Sequence, residues 1–314
     1  MGSGTLRYVV GRILGLLLVI FAVTLFTFFL MHSVPGGPFV FDKQPLPPFA
    51  MENINRKYGL DKPVWEQYLR WLWAVLHFDF GIPFQQPTLT VLQLIERAWP
   101  VTLIVGAITI TISYGLGLLA GIVAALKQNS WIDNLVTFTA TLGITLPNFV
   151  VAFILIFTLS VHYHLLPTGG WGTPKQIIMP VIAYALGPLA VVARYTRTSM
   201  LEVLRSEYVR LARARGVPPG RLLRRYILRN ALIPLITVLG PNIPNILTGS
   251  IFIEATFALP GLGRYFTTSS EARDYPMIMA CVILVAFLWG FTYLISDLLY
   301  TVVDPRIRLG GGRT

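Results

Sequence analysis

Long runs without charge alternate with short polar stretches along this chain, and the runs are long enough to cross a bilayer. A hydrocarbon core of about 30 Å needs roughly 20 apolar residues as helix. Six segments qualify: 13–31, 98–126, 134–161, 176–193, 230–253 and 275–296. The fourth holds Pro180 and Pro188, so a kink or break is expected there. The fifth holds Pro234, Pro241 and Pro244 and should bend or contain an irregular turn. The first has basic residues ahead of it, as a signal peptide does. Its apolar stretch is too long for one and no small-x-small cleavage site follows, so it reads as a retained span.

Two polar regions have their own periodicity. In the 32–98 stretch, Trp65, Tyr68, Leu69, Leu72 and Leu76 recur at helical spacing. This is an amphipathic helix, lying on the outer surface or packed against the spans, as scaffold or as gate. Residues 194–230 carry ten arginines and two acids between apolar runs. A charge at a helix centre costs about 2.5–3.5 kcal/mol on insertion scales, so this is a loop.

The loop is patterned as two helices around a turn. The first should run from Glu207 to Arg215, with the Ser206 hydroxyl capping its start. Gly216 suits the left-handed residue that ends it, with Val217 as the apolar contact. Pro218, Pro219 and Gly220 forbid continuation. At 100° per residue Tyr208, Leu211 and Ala212 share one face, and Arg210 and Arg213 the other. Ala212 and Ala214 are small enough for another surface to approach the backbone. The second helix should span Arg221 to Arg229, with Arg221, Arg224, Arg225 and Arg229 on one stripe and Leu222, Leu223, Tyr226 and Ile227 on the other. That stripe fits lipid headgroups on its own. The first helix, with its glycine stop, reads as a docking element for a soluble partner.

Composition agrees with a membrane protein. Of 314 residues 54% are hydrophobic and 12% charged, with mean hydropathy +0.66. A soluble domain carries about 25% charged residues. The net charge of +11 suits anionic lipid or an acidic partner, and the charge-free runs exclude a nucleic-acid binder. Sixteen of the 25 lysines and arginines fall in the N-terminus, the 127–133 loop, the 194–230 loop and the C-terminus. By the positive-inside rule those segments, and both termini, are cytoplasmic. Trp99, Trp131 and Trp171 mark span ends at headgroup level. The single cysteine, Cys281, lies in an apolar run and reads as a packing residue.

Catalytic signatures are missing. There is no G-x-x-x-x-G-K-[ST] phosphate loop, no H-E-x-x-H and no G-x-S-x-G. His162 and His164 flank Tyr163 without carboxylates nearby and read as interfacial rather than metal-binding. Glu254 and Asp297 are the acids nearest span interiors, Asp297 with Asp304 just beyond it. Two readings stay open for them: headgroup-level pairing or capping, or a part in a transport path.

The run EYVRLARARG followed by LLRRYILRNALIPLI resembles the cytoplasmic coupling loop of ABC-importer permeases, in the form used by the peptide-importer branch. Arg210, Leu211, Ala212 and Gly216 take the first set of signature positions, and Tyr226, Leu228 and Arg229 the second. Arg210 stands where the general signature has Glu, and Arg229 where it has Pro. Other stretches resemble the same branch in order: PGGPF at 35–39, KYGLDKPVWEQY at 57–68, DFG at 79–81, AALKQN at 124–129, LPTGGW at 166–171, TGSIFIEATFALPGLG at 248–263 and DLLYTVVDPRIR at 297–308. Together they resemble the first (B-type) permease subunit, nearest the oligopeptide type.

The resemblance implies an all-α integral membrane protein of six spans with a coupling-helix loop, the type I importer permease fold. The parts would be a cytoplasmic N-terminus with the first span (1–31), an external segment (32–98), a permease core (99–303) with the coupling loop at 199–229, and a cytoplasmic tail (304–314). It implies an ATPase-contacting site at Glu207, Tyr208, Arg210, Leu211, Ala212, Arg213, Ala214 and Gly216. It also implies a gate or outer turn at Glu254, Pro260, Gly261 and Gly263. The implied partners are a second, homologous permease, two ATP-binding-cassette ATPases, an external binding protein, a peptide substrate and membrane lipids. No cofactor is expected in this chain, since ATP and Mg would sit on the ATPases, and no enzyme activity. The same role for dipeptides, nickel or another small solute is the alternative. A proton-driven secondary transporter would want a mid-membrane acid and internal repeats, and a membrane enzyme would want a nucleophile or metal cluster.

Overall fold

The computed structural model describes the backbone at residues 3–35, 52, 55–56, 59–240 and 242–303, with side chains at all of these but 3–7, 9, 234, 236–239 and 295–303. Asp304, the 304–314 tail, the Asp297 side chain and most of the PGGPF turn lie outside the described residues.

The first apolar run forms α1, Ser3–Ser33. The amphipathic pattern forms α2, Val64–Leu76. Helix α3, Val91–Leu126, begins seven residues before the apolar run does, within the stretch read as the external segment. Its start is a capping box: the Gln93 N–H donates to Thr90 Oγ1 (3.2 Å) and the Thr90 N–H to Gln93 Oε1 (3.0 Å).

The third run is not one helix. It forms α4, Trp131–Thr145, and α5, Asn148–Leu155, which continues as a π-helix over Ile156–His162. The two arms are bent by 104°. Leu146 at the bend is extended (φ −79°, ψ 121°) because Pro147 follows it. The fourth run behaves in the opposite way. Helix α6, Pro174–Leu204, passes through Pro180 and Pro188 without interruption, and it carries Arg194 and Arg197 beyond the expected span. Close packing supports it. Gly117 and Gly121, one turn apart on α3, meet α6 so closely that a Cβ at Gly117 would lie 2.9 Å from Leu189 O, and one at Gly121 2.5 Å from Ala193 O.

The basic loop forms α7, Glu207–Ala214, then a single turn at Pro219–Arg221 and a π-helix over Leu222–Leu228 that runs straight into α8, Arg229–Leu239. The fifth run is broken, as its prolines lead one to expect, into α8, α9 (Asn242–Leu247) and α10 (Ile251–Thr256). Helix α11, Leu262–Glu271, and α12, Tyr275–Val303, complete the chain. Among the described residues four helices are long and apolar enough to span a membrane, or five with the bent pair. A sixth crossing would rest on the broken 229–256 segment, where no single helix is long enough.

The main core is formed where α3, α5, α6 and α10 meet, around Met179, Ile253, Phe257 and Leu259. Cys281 is buried with Val91, Leu94, Leu262 and Met277, and it is a packing residue. Helix α1 stands at the edge, with Leu14, Leu17, Leu18, Phe26 and Leu30 exposed. It is held to α2 by Thr24 and Tyr68 (3.2 Å) and by His32 and Gln67 (3.1 Å).

Candidate functional site

Helix α7 ends as its sequence requires. Gly216 has φ +72°. Its N–H donates to Arg213 O (3.0 Å), and the Val217 N–H donates to Ala212 O (3.2 Å). This is the Schellman pair of bonds, which satisfies two carbonyls left over at a helix end. The start differs from expectation. Ser206 holds the extended N-cap conformation, but its hydroxyl donates to Val203 O (2.6 Å) in the last turn of α6 instead of accepting an amide.

The faces of α7 are also sorted differently. Val209 is fully buried and Ala212 is 6% exposed, packed with Ala125 of α3, Met200 of α6, Leu222, Ile227 and Ala231. Tyr208 and Leu211 are instead 43% and 53% exposed. Ala212 thus faces this chain's own core, and the outward apolar pair is Tyr208 and Leu211. The cause is position: residues 209 and 212 share the stripe that closes onto the bundle, a neighbour that helix periodicity alone does not reveal. Glu207, Arg210, Arg213, Ala214 and Arg215 are exposed around the pair. The Glu207–Arg210 approach of 3.9 Å between exposed groups contributes little.

The following helix keeps the expected stripes. Arg221, Arg224, Arg225 and Arg229 are exposed, and Leu222 and Ile227 are buried. The five-residue separation of the two buried positions matches its π geometry.

A buried ion pair that the sequence reading passed over braces this end. Asp133, 2% exposed at the start of α4, accepts from Arg197 of α6 through both oxygens, Nη2 at 2.8 Å, and from the Asn129 N–H at 2.9 Å. Ser199 adds a bond from its hydroxyl to Ala231 O (2.8 Å), tying α6 to α8.

At the opposite end, Glu254 is 2% exposed and enclosed. Its Oε1 accepts from the Thr102 hydroxyl (2.8 Å) and its Oε2 from the N–H groups of Gly263 (2.7 Å) and Arg264 (3.3 Å). Thr102 in turn accepts from the Leu262 N–H (2.9 Å). Glu254 and Thr102 together cap α11, whose N-cap residue Gly261 has no side chain to do so. Glu254 thus stands in a capping arrangement, one of the two roles expected for it. A Cβ at Gly261 would collide with the carboxylate, and Pro260 sets the turn that precedes it. Thr102 gave no sequence signal, since it lies 152 residues from Glu254. Nearby, Asp274 accepts from the Gln85 N–H (3.1 Å). Burial pushes the Asp274 carboxyl above the usual carboxylate range, against the opposing pull of the Gln85, Phe84 and Met277 N–H groups.

Comparison with known proteins gives these sites a family. Residues 117–309 match the family described as binding-protein-dependent transport system inner membrane component, and residues 5–106 match its N-terminal model. The chain is 39% identical over 303 residues to the dipeptide transport system permease protein DppB of Bacillus subtilis, covering 96% of this chain and 98% of that protein. It is 39% identical over 305 residues to the oligopeptide transport system permease protein OppB of Escherichia coli K12, covering 96% and 99%. Among solved structures, a chain of the inward-facing MetNI methionine ABC transporter superposes with TM-score 0.56 at 19% identity, covering 68% of this chain and 97% of that one. A chain of an amino acid ABC transporter with histidines does so with TM-score 0.52 at 18% identity, covering 68% and 94%. These two show a shared fold. The chain is a multi-pass membrane protein that belongs to the family of binding-protein-dependent transport system inner membrane components.

Proposed function

We propose that this chain is the membrane-spanning subunit of an ATP-driven peptide importer, forming half of a translocation path with a second permease. The observation that carries the reading is the outward pair Tyr208 and Leu211 on a helix clamped to the bundle by Val209 and Ala212. A partner seated on that pair pushes on α6 and on the Leu222–Leu228 helix together, because the buried face of α7 packs against both. Two ATPase subunits are the partners, holding ATP and Mg themselves, and α7 carries their closure into the spans as a rigid-body shift. An external binding protein delivers peptide to the outer mouth. Both termini and α7 then lie in the cytoplasm, a reading supported by the sixteen basic residues on that side. This chain itself catalyses no reaction.

Full-length likeness to peptide permeases supports the substrate class. The dipeptide and oligopeptide relatives are equally similar, at 39% each, so the proposal stops at peptide. The test is reconstitution in proteoliposomes with a second permease, two ATPases and a binding protein from the same organism. Peptide uptake should require ATP and all components. Uptake by this chain alone would overturn the reading.

A further inference from the structure

Three apolar runs place polar groups at the same depth. Tyr114 lies near the middle of the 98–126 run, Tyr184 near the middle of 176–193, and Asn242 and Asn245 near the middle of the broken 229–256 segment. The structure brings the four together around one pocket of about 250 Å3, with Pro188 and Ile246. The pocket opens where α8 stops and α9 begins. The Tyr184 hydroxyl donates to the carbonyls of Asn245 (3.0 Å) and Ile246 (3.3 Å) in the last turn of α9, where the Thr248 hydroxyl and the Gly249 N–H also donate to them. Gly106 of α3 approaches the same carbonyl: a Cβ there would lie 2.9 Å from Ile246 O. Helix α9 is therefore held at Ile246 by α3 and α6, while Asn245, exposed, and Asn242, half-buried, line the pocket.

Irregular backbone at membrane depth is tolerated where it is buried or lines a cavity, and discontinuous helices there build substrate sites. Each carboxamide offers both a donor and an acceptor, the same pair that a peptide group offers. That chemistry reads a main chain and ignores side-chain identity. The pocket is smaller than the ~300–1,000 Å3 of a complete small-molecule site, so it is one wall of a larger space.

We propose that this pocket is where the subunit touches the transported peptide, with Asn242 and Asn245 bonding its main chain and the rings of Tyr114 and Tyr184 forming the apolar floor. The inference rests on the importer reading and assigns residues within it.

The test uses the full complex in proteoliposomes, with binding protein and ATP, and a short alanine peptide carrying one benzoylphenylalanine as probe. Illumination during turnover should cross-link the probe to residues of α3, α6 or α9 that line the pocket. Asn242→Leu with Asn245→Leu should lower the uptake rate of unlabelled alanine peptide about tenfold, the loss expected from two hydrogen bonds. Binding-protein-stimulated ATP hydrolysis should persist, which a misfolded complex would not show. Cross-links confined to the second permease or to the α11 turn would overturn the assignment, as would unchanged uptake in the double variant. A cysteine at position 245 that disulfide-links to the second permease would show the pocket to be a subunit contact, with the same consequence. If the wild-type complex moves no peptide at all, the importer reading itself fails and takes this assignment with it.

Discussion

Thr102 holds Glu254 at 2.8 Å and, through the same oxygen, receives the Leu262 N–H at 2.9 Å, so one hydroxyl in α3 joins a buried carboxylate to the start of α11. Both bonds are lost in Thr102→Val, which keeps the shape. Leaving a buried carboxylate and an amide short of partners should cost about 1–3 kcal/mol. Thr102→Ser keeps the hydroxyl and should lie within about 1 kcal/mol of wild type, the cost of one methyl group. Thermal unfolding of the detergent-solubilised protein measures both. Equal stability for Val and wild type would remove the capping role from Thr102.

Gly216 sits at φ +72° with open space around its Cβ position, so a substitution there is opposed by backbone conformation rather than by collision. Gly216→Val should destabilise the end of α7 by about 1–2 kcal/mol. Gly216→Asn should be milder, since asparagine visits that region more readily. In the assembled importer the valine variant should hydrolyse more ATP per peptide moved, at equal expression. An unchanged ratio would show that the helix end does not transmit force.

The exposed and buried sides of α7 make a pair of opposed expectations. A cysteine at Leu211 should react with a bulky maleimide in the isolated chain and be protected once the ATPases are bound. A cysteine at Ala212 should stay unreactive in both, and Ala212→Leu should overpack the core at a cost of about 1–3 kcal/mol. The native Cys281 is buried and gives a low background. Protection at 212 with free reaction at 211 would reverse the assignment of faces.

Local chemistry was readable where a residue's role depends on its neighbours in the chain. The stop at Gly216 and Val217 and the broken helix at 230–253 are both of this kind. What could not be read was decided by residues far away. Ala212 looked outward because α6 and the Leu222–Leu228 helix, which pack on α7, are absent from a helical wheel. Pro180 and Pro188 suggested a break that packing against Gly117 and Gly121 overrides. Pro147 is the reverse case: a Leu-Pro step inside an apolar run carried the signal for a 104° bend, and hydropathy averaging hid it. Glu254 was legible as an unusual acid, but its partner Thr102 was not.

Asp133 and Arg197 test how far α4 and α6 move together. Removing Arg197 leaves a carboxylate 2% exposed with only the Asn129 N–H and no charge partner. Breaking a buried pair costs about 3–5 kcal/mol, and since Arg197 itself reaches solvent the lower part of that range applies. Arg197→Lys should recover part of the loss without the two-pronged geometry. Thermal unfolding of both variants gives the comparison. An Arg197→Ala protein as stable as wild type would make the bridge dispensable.

Helix α2 carries the remaining expectation. One side, with Tyr68, Trp71 and Leu72, packs on Phe28 and Met279. The other leaves Trp65, Leu69, Trp73 and Leu76 exposed, a stripe repeating at helical spacing. The helix is bonded to α1 at Thr24, within the first apolar run, and at His32 just past its end, so it lies alongside the C-terminal part of that run. At that depth the aromatic stripe meets the headgroup and upper acyl region, where tryptophan is favoured. In nanodiscs of brominated lipid, part of the tryptophan emission should be quenched most by bromine near the headgroup. Trp65→Phe with Trp73→Phe should remove that part, although five of the seven tryptophans remain. Leu69→Asp should weaken α2 docking without disturbing α7, read as faster proteolysis between α1 and α3 with unchanged ATPase binding. Quenching that is the same in the double variant would place the stripe against protein or water instead of lipid.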